Sequence, residues 1–197
     1  MRILLLVIWL LVPIGAIAFH YGPGQNLVKH DDAARQMRLV DYQRTAGDLD
    51  AAQKSLEKSL ELLPDDDLAT RRKLQLELCK VRLDNHGLPQ ARQELESLLE
   101  EMQADPKADT AMVNDCRETL ANSQYYVTWL MRLEGMDYEA WGPEIESAQQ
   151  NLRLLAQTAA DEGDEILLTR HREDLESAVR LARMDLGELQ GLPLPSQ

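Results

Sequence analysis

The sequence predicts an all-α protein, and three observations carry that prediction. β-branched aliphatic residues nearly vanish after residue 20: two Ile (Ile145, Ile166) and six Val remain. Leu, Ala, Glu, Gln, Arg and Met, the strong helix formers, dominate instead. Small and apolar residues recur at helical steps, as in Leu49, Ala52, Leu56, Ser59 and Leu63, or Leu168, Leu175, Val179, Ala182 and Leu186. No period-two alternation runs long enough to read as a sheet.

The chain opens on an apolar run, residues 3–19, preceded only by Met1 and Arg2. At a helical rise of about 1.5 Å per residue the run reaches roughly 26 Å, close to the ~30 Å of a hydrocarbon core. It reads either as a membrane anchor, with Phe19 and Tyr21 at the interface, or as an export signal. Pro13 and Gly15 interrupt the run, and Ala16-Ile17-Ala18 offers the small-x-small pattern of a cleavage site. Both readings leave Arg2 in the cytoplasm and place residues 20–197 on the non-cytoplasmic side, attached or released near Ala18. No Cys follows closely, so a lipid-modified N-terminus is not expected.

Residues 20–30 read as a linker, and helix breakers divide the rest. Gly47-Asp48 is a short turn. Pro64 to Asp67 ends one helix and starts another, its acids suited to the new N-terminus. His86 to Pro89 turns again, and Asp105-Pro106 to Asp109 follows. Gly135 to Pro143 is a longer connection, with Pro143 placed as a first helical residue. Asp161 to Asp164 is the last break. Helices are predicted over 31–45, 48–63, 67–85, 88–104, 109–134, 143–160 and 164–189. Residues 190–197 form a Pro-rich tail.

Residues 47–64 resemble the second half of a tetratricopeptide repeat. The Gly-Asp turn, Ala52, Leu56, Ser59 and closing Pro64 fall at that family's spacing. A looser copy has Ala91, Leu95 and Leu98, and closes at Pro106; a third has Ala148, Leu152 and Leu155. The alanines lie 39 and 57 residues apart, against the roughly 34 of a regular repeat. The family's first-helix signature is reduced to Leu39-Val40, Leu78-Cys79 and Leu120-Ala121. The resemblance implies that residues 31–189 form a short solenoid of antiparallel helix pairs, with residues 164–189 as a terminal cap. A plain helical bundle closing around one core is the competing arrangement.

Composition removes several function classes. The net charge is −13, from 21 Lys+Arg against 34 Asp+Glu, and no basic stripe offers itself to nucleic acid. No metal, cofactor or small-molecule substrate is expected: His20, His30, His86 and His171 have no second His or Cys at ligand spacing. His171 falls on the apolar side of its helix and reads as a core or boundary residue. No phosphate loop, dinucleotide fingerprint or Gly-x-Ser-x-Gly appears, so no enzyme is predicted. Cys79 and Cys116 stand on neighbouring first helices, as a disulfide or as two buried thiols.

Five of the nine tyrosines, tryptophans and phenylalanine fall in seventeen residues: Tyr125, Tyr126, Trp129, Tyr138 and Trp141. They read either as local core or as a patch of interface anchors. In tetratricopeptide repeats the first helices line a groove. That resemblance implies partner contacts from Met37, Asp41 and Arg44, from Lys73, Leu76, Lys80 and Leu83, and from Asn122, Tyr125 and Tyr126. The expected role is a non-catalytic scaffold or adaptor for a partner protein in a cell-envelope assembly. The alternative is a bundle-like subunit that joins a membrane-associated complex through its outer surface.

Overall fold

Every regular element among the described residues, 35–64 and 66–191 of the computed structural model, is an α-helix. α1 covers residues 35–45. α2 runs Leu49–Leu62, α3 Leu68–Asp84 and α4 Leu88–Ala104. α5 runs Thr110–Leu133, α6 Tyr138–Glu162, α7 Glu165–Arg183 and α8 Leu186–Gln190. The apolar run at 3–19, the linker at 20–30 and residues 192–197 lie outside the described residues, as do the first four positions of the helix expected from residue 31. Among the described residues no helix is long and apolar enough to cross a membrane.

Turn chemistry explains where the helices stop and restart. At the end of α1 the Gly47 N–H donates to the Arg44 carbonyl and the Asp48 N–H to the Gln43 carbonyl. That pair of bonds needs a left-handed residue at position 47, and glycine supplies it at φ +77°. Asp48 then caps α2 by accepting from the Ala51 N–H at 3.1 Å. Asp67, Asp109, Asp164 and Asp185 accept from the first-turn amides of α3, α5, α7 and α8 in the same way. Part of the acidic excess is therefore helix-capping hardware, stabilised at the positive end of each helix.

The α3–α4 turn solves the same problem with a less suitable residue. The Gly87 N–H donates to the Arg82 carbonyl at 2.7 Å, which puts His86 in the left-handed position at φ +61°. Gly87 cannot exchange roles with it, because a Cβ at 87 would sit 3.0 Å from the Arg82 carbonyl oxygen. A non-glycine residue in that conformation costs on the order of 1 kcal/mol. His86→Gly should therefore raise the unfolding free energy by about 1 kcal/mol in urea titrations; a loss of stability would mean that the His86 side chain itself holds the turn.

The chain divides into two compact units, one ending at Leu74 and the other beginning at Gln75, with the boundary inside α3. In the first unit α1 and α2 are tied by the Ser55 hydroxyl donating to Gln43 Oε1 at 3.0 Å. Ala52, Leu56 and Ser59 on α2 have no exposed surface. The Ser59 hydroxyl is satisfied by the Ser55 carbonyl at 2.7 Å, so this small polar residue is buried at no hydrogen-bonding cost.

The second unit stacks helices in adjacent pairs, in a solenoid-like arrangement. Its apolar interior consists of successive clusters, where a closed bundle would share one. In the first, Leu76 and Cys79 of α3 meet Ala91, Leu95, Leu98, Leu99 and Met102 of α4 and Cys116 and Leu120 of α5. In the second, Ala121 and Trp129 of α5 meet Ile145, Ala148, Leu152 and Leu155 of α6, Ala178 and Leu181 of α7 and Leu189 of α8. α5 belongs to both, which explains why it is apolar on two sides. The alanine–leucine pairs 52/56, 91/95 and 148/152 all fall on the second helix of a pair, and all are buried. Alanine lets the neighbouring backbone approach, and leucine fills the space one turn on.

Two expected boundaries are corrected. α6 starts at Tyr138, with Pro143 inside it, so the long connection after Gly135 shrinks to a tight turn. The Tyr138 ring lies over Gly142, meets Trp141 edge-on at 4.8 Å and its hydroxyl donates to Glu146 at 2.5 Å. These contacts exist only if the segment is helical, and they override the single backbone bond that Pro143 forfeits near the helix start. The extra spacing between repeat copies is thus absorbed by longer helices. The last expected helix, 164–189, breaks at Met184. Asp185 and Glu188 form a capping box for α8, and the Arg132 guanidinium donates to the Leu181 and Met184 carbonyls at the α7 terminus. The break leaves Leu186 exposed, and the buried positions of α7 are Leu168, His171, Ala178 and Leu181.

Candidate functional site

The expected partner-binding residues fall in both compact units. In the first, Met37 and Arg44 are half-buried on α1, and Asp41 and Lys73 are exposed on α1 and α3. In the second, Leu76 is a correction: it is 2% exposed and belongs to the first apolar cluster, so it faces α4 and α5 and no partner. The helical step that put it beside Lys73 and Lys80 holds, but α4 and α5 cover that side of α3. Leu83 is partly buried against the same cluster. Asn122 is exposed and Tyr126 half-buried on α5. Tyr125 packs on the second cluster, its ring 6.2 Å from that of Trp129, and burial pushes its hydroxyl pKa up against the opposing pull of Arg180.

Lys80 is engaged within the fold. Its ammonium donates to Asp115 on α5 at 2.8 Å and to Glu77 at 3.2 Å. Burial pulls its pKa down, but the hydrogen bonds and charges of these two acids outweigh it and leave the group above its ordinary value. Further along, Arg170 of α7 pairs with Glu118 of α5. On the other side of the stack Arg92 of α4 reaches Glu144 of α6 at 3.2 Å. These bridges join alternate helices: α3 to α5, α5 to α7, and α4 to α6. First helices lie beside first helices and second beside second, the register that a stack of hairpins requires. No sequence signal for Asp115, Glu118 or Arg170 was available, because each pair spans 35 or more residues.

Glu144 is the most constrained of these acids. Its side chain is 17% exposed, and Oε2 is buried with no hydrogen-bond partner. Burial raises its pKa; Arg92 opposes the rise and Glu96 adds to it. The folded chain therefore holds a proton at this site more tightly than the unfolded chain does. The contribution is most favourable at low pH and is lost as pH rises from the ordinary value of 4.5 through the folded value. Glu144→Gln should gain stability relative to the parent between pH 4.5 and pH 7, read as a widening gap in urea midpoints. A gap that narrows over that interval would show that the Arg92 pair dominates.

The thiols of Cys79 and Cys116 are free and buried in the first cluster. The Cys79 thiol donates to Glu94 at 3.7 Å and the Cys116 thiol to the Leu95 carbonyl at 3.6 Å. Burial, with Glu94 and Asp115 respectively, pushes both pKa values up to about 12, which keeps them protonated and unreactive. His171, as expected, is a core residue on α7. Among the described residues no three His, Cys, Asp or Glu side chains gather as metal ligands would.

The aromatic group resolves into two parts. Trp129 is core. Tyr138 and Trp141 instead build the first turn of α6, where the Arg132 guanidinium lies 4.8 Å above the Trp141 ring. Compared with protein-family models and with curated proteins, the chain matches none.

Proposed function

We propose that this chain is a non-catalytic docking module of the tetratricopeptide type, which holds a partner protein in a cell-envelope assembly. The observation that carries the reading is the run of bridges between alternate helices, Lys80–Asp115 and Glu118–Arg170 on one side and Arg92–Glu144 on the other. Within the second unit, side-by-side first helices would offer a polar and aromatic face, with Asn122 and Tyr126 as its accessible members. Such a face suits an extended peptide or a partner helix. The apolar run at 3–19 supports placement outside the cytoplasm, tethered or released. The resemblance of residues 47–64 to a tetratricopeptide repeat supports the family assignment.

Photo-crosslinking in intact cells tests the reading. A crosslinker at Asn122 or Tyr126 should capture one defined envelope protein. The same group at Gln93 or Gln150, exposed on second helices, should not. Capture only from the second-helix positions would overturn the groove and favour a subunit that joins its complex through its outer surface.

A further inference from the structure

We propose that the turn joining α5 to α6 is a second docking point, which takes a cationic segment of a partner protein with an Arg or Lys side chain over the Tyr138 ring. Tyr138 is 54% exposed and Met136 beside it 46%, two large exposed residues two positions apart at the same turn and helix start. Yet Tyr138 is immobilised. Its hydroxyl is held by Glu146, its edge by Trp141, and the ring lies over Gly142, where a Cβ would stand 2.8 Å from it. Trp141 is held in turn by Arg132, which is anchored to the Leu181 and Met184 carbonyls. An exposed aromatic ring fixed by its neighbours loses little entropy when a partner covers it, the property expected of an interface anchor.

Charge decides what covers it. Glu134, Asp137 and Glu139 flank the ring, all exposed, and none makes an ion pair among the described residues. The neighbouring cation, Arg132, is committed to Trp141 and to the α7 carbonyls. Glu146 adds a further carboxylate at the Tyr138 hydroxyl, and that hydrogen bond pushes the hydroxyl pKa up. A carboxylate acceptor also leaves the ring richer in electrons, which favours a cation over its face. An apolar or acidic segment would leave these carboxylates desolvated or opposed, whereas a guanidinium or ammonium meets both the ring and the acids. This docking point sits at the α5–α6 turn, braced through Arg132 by the end of α7, and does not depend on the groove proposed above.

The test uses the full chain in a neutral detergent and a fluorescent peptide of alternating Arg and Gly as probe, with anisotropy as the readout. Tyr138→Leu removes the π face but keeps bulk, and should weaken the peptide about threefold to fivefold. Tyr138→Phe keeps the face and should retain most of the affinity. The triple change Glu134→Gln, Asp137→Asn, Glu139→Gln should weaken binding more than an equal loss of charge at Glu61, Glu100 and Glu162, which are exposed elsewhere. The proposal is overturned if the remote triple weakens the peptide as much as the turn triple, because net charge alone then explains binding. It is also overturned if Tyr138→Leu binds like the parent, or if the parent does not bind the peptide.

Discussion

Replacing Leu56 with alanine should lower the unfolding free energy by about 2–5 kcal/mol. Leu56 is fully buried on α2, with Ala52 and Ser59 on either side of it along the same helix, also fully buried. Those two side chains are already small, so little material is at hand to fill the space that Leu56 leaves. The α1–α2 turn is pinned by the Gly47 and Asp48 backbone bonds and by the Ser55–Gln43 hydrogen bond, which resist inward collapse. A cavity that cannot collapse puts the cost toward the upper part of the range. Urea unfolding followed by far-ultraviolet circular dichroism measures it, and a loss under about 0.5 kcal/mol would show that the pair is not close-packed at this point.

Trp129→Ala should cost about 3–5 kcal/mol. The indole is 4% exposed and lies in the second apolar cluster with Ile145, Ala148, Leu152, Leu181 and Leu189. Its Nε1 is buried without a hydrogen-bond partner, so the loss reports apolar burial and cavity formation with no hydrogen bond forfeited. Because the interior of the second unit is built as successive clusters, the damage should be local. Amide exchange should accelerate most at Leu152 and Leu181, and least at Leu95 and Met102, whose cluster does not include Trp129. Equal acceleration in both would show that the clusters open together, as one bundle core does.

Much of the helical plan is visible in the chain before any contact is known. α4 coincides with its expected span, and α2, α3 and α5 lie within one residue of theirs at each end. The signals there are local: Asp caps, the Gly47 turn, and the absence of β-branched runs. The close-packed positions were equally readable. An alanine followed four residues later by a leucine recurs at 52, 91 and 148, and burial follows at each; the same spacing at Ala182 and Leu186 leaves Leu186 exposed, because the helix ends between them. The candidate site was less readable. The spacing that put Leu76 on a line with Lys73 and Lys80 says which residues share a helix side, but not which side a later helix will cover.

Composition, turn residues and residue spacing therefore settle that the chain is helical, where most of its helices begin and end, and which small residues permit close approach. They do so because capping and helical propensity act within one or two turns. Contacts between distant residues decided the rest. Pro143 lies inside a helix whose start is tied by the Tyr138–Trp141 and Tyr138–Glu146 contacts and held from α5 by Arg132 above Trp141. The last helix breaks where that same Arg132 takes the carbonyls of Leu181 and Met184, some fifty residues away in the chain. α5 carries two apolar sides because two successive clusters need it. Packing free energy depends on which surfaces meet, and a one-dimensional pattern leaves that choice open until the helices stack.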